Sequence, residues 1–381
     1  MKVLSIFGTR PEAIKMAPLV QAIQQSPTLQ SVVCVTGQHR EMLNQVTSLF
    51  GLQANHDLHV MVPNQTLNGL FGRTLERLDT VLTTESPDLV LVHGDTTTAC
   101  AAAMASFHRG IAVGHIEAGL RTGDLRQPFP EEMNRRVIDS FSQWLFAPTA
   151  QAAANLAQEN LSGQVLITGN TVIDALAWTC AILAPGSEHD LALCAKYPWL
   201  NPDKRLILVT GHRRENFGHG FDDICTALAA LAARQDVQIV YPVHLNPKVR
   251  DVVMARLGQL PAIRLIDPLA YLDFVWFMQH AHLILTDSGG VQEEAPYLGK
   301  PVLVMREVTE RPEAVDAGTV VLVGTSPQRI QTEVERLLDN AAHHASFCRR
   351  INPYGDGHAS ARIVAALAGE SVNEFQAPPQ H

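Results

Sequence analysis

The chain is short of cysteine: six in 381 residues, with no CxxC pair. Cys34, Cys100, Cys180, Cys194, Cys225 and Cys348 lie far apart, which excludes a disulfide framework and predicts free thiols in a reducing cytoplasm. No run of about 18 apolar residues occurs, as a membrane-spanning helix would require. The opening MKVLSIF is cut at once by Gly8, Thr9, Arg10 and Pro11, so it lacks the apolar centre of a signal peptide. Excess positive charge is also missing. A formal net charge of −9 argues against a general nucleic-acid or anionic-membrane surface, though a local basic pocket could still hold a small phosphorylated ligand. Several chemical signatures are absent as well: neither GxGxxG nor GxxxxGK(S/T) appears, so the usual dinucleotide and P-loop readings fail. There is no HExxH, and His280, His282, His343 and His344 lack companions at metal-ligating spacing. Neither a GxSxG elbow nor a DxD metal handle is present.

What is there is an alternation. Apolar residues make up 46% of the chain and charged residues 18%, enough for a sizeable core, and the length suits about two domains. Runs reading as buried strands fall at 2–8, 31–37, 88–94, 111–117 and 144–148, with helical patterns at 12–25, 96–108 and 131–142. Near-continuous apolar strands separated by helices indicate a parallel sheet covered on both faces. After a hinge-like segment at 169–204, with one helix near 172–183, the pattern restarts at 205–211, 237–244, 263–268, 283–287, 301–306 and 319–324. The expected fold is α/β, with two doubly wound Rossmann-like domains (1–168 and 169–357) facing across a cleft, and a loose tail over 369–381. In such sheets ligands bind outside the carboxyl ends of the strands, so residues just past the strands are the candidates.

The first strand ends in Gly8-Thr9-Arg10-Pro11-Glu12. This glycine turn feeding a helix N-terminus could hold an anion, with Arg10 and Lys15 adding charge. The strand at 88–94 runs into Asp95, which could equally cap the next helix. Glu117 ends the following strand. Glu131 and Glu132 begin the helix after it, and one of that pair suits the helix dipole. Carboxylates converging at one sheet edge are what proton abstraction and return require. Arg135 follows Glu131 by four residues, the spacing of a helix-face ion pair. In the second half, His212 stands just past a strand, and Ser288-Gly289-Gly290 precedes a helix as a second phosphate cradle. Glu294 lies one turn into that helix, where it could take two ribose hydroxyls or be a solvated charge. Phe274 could stack on a flat base or belong to the core, and Arg306 and Arg311 follow another strand.

The segments FGTRPEAIKMAPLV (7–20), VTGQHREML (35–43), VHGDTTT (92–98), HIEAGLRTGD (115–124), PEEMNR (130–135), ITGNTVIDAL (167–176), VTGHRRENFG (209–218), YPVHLNP (241–247), TDSGGVQEEAPYLGKPVLVMREVTERPEAV (286–315) and NPYGDG (352–357) together resemble the non-hydrolysing UDP-N-acetylglucosamine 2-epimerases of bacteria. The resemblance runs in order from residue 2 to about 368. It implies the two-domain GT-B arrangement, with a final helix at 358–368 returning to the first domain. It also implies reversible conversion of UDP-GlcNAc to UDP-ManNAc in the cytoplasm for surface polysaccharide. No NAD or divalent metal, a homodimer, and activation by UDP-GlcNAc at a second site are further implications.

By that resemblance, Asp95, Glu117 and Glu131 form the acid–base and sugar-positioning set. Arg10, Lys15, Arg135, His212, Ser288, Gly289 and Gly290 hold the diphosphate, with His212 also a proton donor. Phe274 and Glu294 hold the uridine, and Arg311 makes a further ligand contact. Gln38, His39, Arg213 and His244 line the second site. The implied route is anti elimination of UDP to a 2-acetamidoglucal and re-addition with protonation from the other face. Competing readings are a hydrolysing epimerase releasing ManNAc and UDP, a retaining glycosyltransferase on the same fold, and a catalytically silent nucleotide-sugar sensor.

Overall fold

The structure is a computed structural model that describes residues 1–37, 40–213, 216–309, 311–348 and 352–378. It divides into two compact units, Met1–Ala177 with Tyr354–Ala377, and Trp178–Pro353. The division falls later in the chain than 168/169, because the segment expected as a hinge is mostly helical. Among the described residues no helix is long and apolar enough to cross a membrane, and none of the six cysteines is paired.

The first unit alternates β1 (Lys2–Phe7), α1 (Arg10–Gln25), β2 (Gln30–Val35), α2 (Arg40–Leu49), β3 (His56–Asp57), α3 (Leu67–Glu85), β4 (Leu89–His93), α4 (Thr97–His108), β5 (Ala112–Ile116), α5 (Glu131–Phe141), β6 (Trp144–Ala147), α6 (Ala150–Gln158), β7 (Gln164–Ile167) and α7 (Thr171–Ile182). Its sheet is parallel in the order β3-β2-β1-β4-β5-β6-β7. The central strands read as apolar runs because helices cover both faces; every residue of β4 is buried. Pattern reading missed β3 and β7. One is two residues long, and the other, QVLI, is a half-exposed edge strand with no fully buried residue.

The second unit contains α8 (Glu188–Lys196), β8 (Arg205–Thr210), α9 (His219–Leu231), β9 (Val237–Pro242), α10 (Pro247–Leu257), β10 (Ile263–Ile266), α11 (Tyr271–His280), β11 (Leu283–Thr286), α12 (Gly289–Tyr297), β12 (Val302–Val304), α13 (Pro312–Asp316), β13 (Val320–Leu322), α14 (Pro327–Asp339) and α15 (Ala341–Phe347). Its parallel sheet runs β10-β9-β8-β11-β12-β13. Helix α8, unforeseen, is capped by Ser187 and packs on α11. In each unit the strand order reverses direction once, between β1 and β4 and between β8 and β11. Neighbouring connections leave such a point on opposite faces, which opens a crevice at the carboxyl edge. The motifs singled out above fall at these two points.

The chain then returns to the first unit through α16 (Ala359–Leu367), which packs on α1. Its N-terminus has no side-chain cap of its own; Asp174 of α7 accepts from Ala359 N at 3.2 Å and Ser360 N at 2.7 Å instead. The tail expected to be loose is anchored beyond α16. Phe375 is buried and donates its N–H to Ile167 O at 2.8 Å, while Glu374 Oε1 accepts from Ile167 N at 3.2 Å. Those bonds satisfy an edge strand that would otherwise stay open. Replacing Asp174 by Ala removes the α16 cap and should lower unfolding free energy by about 1–2 kcal/mol; urea unfolding followed by circular dichroism measures it, and an unchanged midpoint contradicts the capping role.

Candidate active site

At the switch point of the first unit, β1 leads into Gly8, where a Cβ would sit 1.8 Å from Thr36 Oγ1 and force that side chain to move. Thr9 caps α1, and Glu12 completes the capping box. Glu12 Oε2 accepts from Gly8 N at 3.0 Å and Thr9 N at 2.7 Å, and Oε1 accepts from the Thr96 hydroxyl at 2.7 Å. Burial pushes its carboxyl up, and these bonds partly offset the shift. Arg10 opens α1 and is half-buried.

The three candidate acids each stand at a different element end. Thr96, not Asp95, caps α4, its hydroxyl accepting from Ala99 N at 3.0 Å. Asp95 is thereby left to pair with Arg135 at 2.6 Å and to keep a partly exposed side chain. The expected helix-face pair between Glu131 and Arg135 gives way to this contact, with Glu132 Oε2 3.5 Å from Arg135 on the other side. Glu132 is the structural member of its pair: fully buried, it accepts from Thr122 N at 3.1 Å and Gly123 N at 3.3 Å. Glu131 keeps a buried Oε2 with no hydrogen-bond partner among the described residues. Glu117 takes a φ of +68°, a conformation that costs a non-glycine residue and persists where the surroundings impose it. Here Lys15 Nζ donates to its Oε2, and Asn170 Nδ2 does so at 2.8 Å. Lys15 and Arg135, expected on the diphosphate, each contact one of the candidate acids here. His93 lies behind Glu117 with Nε2 at 3.9 Å. Burial pushes the His93 ring down to about 3 against the pull of Glu117.

At the switch point of the second unit, a fully buried Asp287 follows β11. Its Oδ2 accepts from His212 N and Arg213 N, both at 2.8 Å, and its Oδ1 lies 3.2 Å from His212 Nδ1. Burial opposes its ionisation, but these partners hold the carboxyl below its usual range. The His212 ring is thus steered by a carboxylate while its side chain stays 43% exposed, an arrangement suited to donating or accepting a proton. His244 stacks on it with ring centroids 5.7 Å apart, and burial followed by the neighbouring His212 pushes His244 down. Ser288 precedes α12 without a side-chain cap bond, so the first N–H groups of that helix, including Gly289 and Gly290, are available to an anion. Glu294, buried one turn in, accepts from the Tyr271 hydroxyl at 3.2 Å. Phe274 is half-buried on α11. Arg311 Nε donates to the buried Glu293, and its N–H donates to Thr309 Oγ1 at 3.1 Å.

A family model described as UDP-N-acetylglucosamine 2-epimerase matches residues 21–368. The chain belongs to the UDP-N-acetylglucosamine 2-epimerase family. The protein of that name from Escherichia coli is 56% identical over 375 residues, which are 98% of this chain and 100% of that one. The crystal structure of UDP-GlcNAc 2-epimerase from Neisseria meningitidis bound to UDP-GlcNAc is 48% identical with a TM-score of 0.91, covering 97% and 100% of the two chains. That from Methanocaldococcus jannaschii in complex with UDP-GlcNAc and UDP is 32% identical with a TM-score of 0.81, over 97% and 100%. The expected fold class, two parallel-sheet α/β domains with GT-B-like relatives, is the one observed.

For this epimerase family member, reading charges along the sequence named the candidate acids but not the groups that contact them. Glu12, His93, Asn170 and Asp287 all lie inside the quoted motifs, and all but Asn170 stand within two residues of one that was chosen. Their signal was adjacency to a strand end, which a search for charge convergence does not weigh. Gln38 and His39, expected at a second site, lie outside the described residues.

Two desolvated histidines set a pH dependence. His93 is pushed to about 3 and His282 to about 4, both chiefly by burial, from an ordinary 6.5. The unfolded chain therefore binds more protons between those values, and stability falls as pH drops below about 6.5, by up to about 1.4 kcal/mol per pH unit for each group. Urea unfolding between pH 6.5 and 5 should show a shallower slope for His93→Gln and for His282→Gln than for the parent; an equal slope contradicts the assignment.

Proposed function

We propose that this chain interconverts UDP-GlcNAc and UDP-ManNAc without hydrolysis, by anti elimination of UDP and re-addition to a 2-acetamidoglucal. The observation that carries the reading is the set of three acids that follow β4, follow β5 and open α5 in the first unit, each in a different electrostatic setting. Asp95 is ion-paired and partly exposed, Glu117 is strained and held by two donors, and Glu131 keeps an unpartnered buried oxygen. Carboxylates of one type in unlike environments are what separate acid and base roles demand.

The chemistry calls for a proton carrier and for a cradle that takes the leaving group's charge. The hydrogen on carbon 2 of the sugar has no adjacent carbonyl to acidify it. When the anomeric C–O bond breaks, its electron pair leaves with UDP, positive charge develops on the ring, and a carboxylate removes the carbon 2 proton as the double bond forms. Re-addition of UDP with proton delivery to the opposite face gives the epimer. The cradle of Ser288, Gly289 and Gly290, with His212, suits the departing diphosphate charge. Phe274 suits uracil, and Glu294 the ribose. We extend the reading to Arg10 and Arg311 as ligand contacts, to Arg213 and His244 as part of a second, activating UDP-GlcNAc site, and to a cytoplasmic homodimer supplying ManNAc for surface polysaccharide.

Incubation with UDP-GlcNAc in D2O should give UDP-ManNAc carrying deuterium at carbon 2, seen by NMR, with both UDP-sugars intact. Release of free ManNAc as the main product would instead mark hydrolysis. Asp95→Asn should lower the rate about 10²–10⁴-fold, or about 3–5 kcal/mol of barrier, with UDP binding nearly unchanged by calorimetry; near-parental turnover would rule Asp95 out of the proton transfers.

A further inference from the structure

The three acids arrive on separate elements: Asp95 after β4, Glu117 after β5, and Glu131 at the start of α5. Something must hold these carriers in mutual register, and the Asp95–Arg135 pair ties only two of the three. One buried pair touches all three. Asp139 on α5 is 1% exposed, and His115 on β5, two residues before Glu117, is fully buried. Asp139 Oδ1 meets His115 Nδ1 at 2.6 Å, and His115 Nε2 donates to Gly94 O at 2.7 Å, at the peptide that leads into Asp95. Asp139 Oδ2 accepts from Gly119 N at 3.2 Å and Arg121 Nη2 at 2.8 Å, on the loop that begins at Glu117. The helix is tied to the β4 loop once more through Asn134, whose Nδ2 donates to Asp95 O at 2.8 Å.

We infer that His115 and Asp139 are positioning residues for the epimerisation, a hydrogen-bonded junction that fixes the β4 and β5 loops and α5 so that Asp95, Glu117 and Glu131 address one sugar. This rests on the reaction proposed above. Two features make the junction more than core packing. Both ring nitrogens of His115 have a buried oxygen partner, so neither bond can be dropped without orphaning a buried group. The atoms it grips also belong to or lie near three positive-φ residues, Gly94 at +63°, Glu117 at +68° and Gly119 at +85°, whose conformations set the course of the loops that carry Asp95 and Glu117.

The geometry separates positioning from charge. An asparagine at 139 can turn its amide so that Nδ2 donates to His115 Nδ1 and Oδ1 accepts from Gly119 and Arg121. His115 then keeps its Nε2 bond to Gly94 O. Asp139→Asn should therefore preserve the junction, whereas His115→Phe keeps the volume but cuts the tie to Gly94.

The test uses the full-length enzyme with UDP-GlcNAc, measuring kcat per folded molecule, KM, UDP affinity and thermal midpoint. His115→Phe should lower kcat about 10²-fold, the cost of a misplacement near 1 Å, with KM and UDP affinity within about twofold of the parent, whose contacts it does not touch. Asp139→Asn should stay within about tenfold of parental kcat. Should His115→Phe not fold, His115→Met, adaptable in shape but equally unable to donate, carries the same prediction. Parental kcat per folded molecule in the His115 variant, or an Asp139→Asn enzyme as slow as it, overturns the inference. A parent enzyme that does not epimerise UDP-GlcNAc overturns the proposed reaction instead, so the two failures are told apart.

Discussion

A carboxylate buried at the edge of a parallel sheet must collect hydrogen-bond donors or give up its charge, because desolvation costs several kcal/mol. The loops of this protein supply those donors, and in doing so they are fixed. Glu12 gathers the N–H groups of Gly8 and Thr9, Glu132 those of Thr122 and Gly123, Asp139 that of Gly119, and Asp287 those of His212 and Arg213. Each of these acids is at least nine-tenths buried and faces backbone. The acids assigned to chemistry are built differently: Asp95 and Glu117 take their contacts from side chains that a ligand's charge could compete with.

This division of labour gives the two units a common logic. Both place an apolar parallel sheet under a switch point, and both pin the loops there through a buried acid. They diverge in what the pinned loops present. The first unit presents carboxylates held by Lys15, Asn170 and Arg135, a setting for moving protons. The second presents helix N–H groups and a histidine steered by Asp287, a setting for stabilising negative charge. Buried neutral histidines such as His93 fit the same economy, since an imidazole without charge costs less to desolvate than the cation.

Much of this was legible beforehand. Near-continuous Val, Ile and Leu runs gave the central strands, and residues following them named the candidate acids and the phosphate cradle. The failures share a cause. The edge strand Gln164–Ile167 and the short β3 carry too little burial to show a period. The tail through Phe375 contains no repeat, because what fixes it is a strand edge distant in sequence. Arg135 looked like a partner of Glu131 because helix spacing is all that a linear reading offers, and its side chain instead crossed to Asp95.

Sequence alone determined the class of fold, the family, and which residue types reach the carboxyl edges, since these follow from local periodicity and from what each strand runs into. Only the tertiary structure decided which of the paired acids is structural, which residue caps α4, and which groups bond the Glu117 carboxylate. Those outcomes depend on donors brought together from loops tens of residues apart, and no local pattern records which donor a buried oxygen will find.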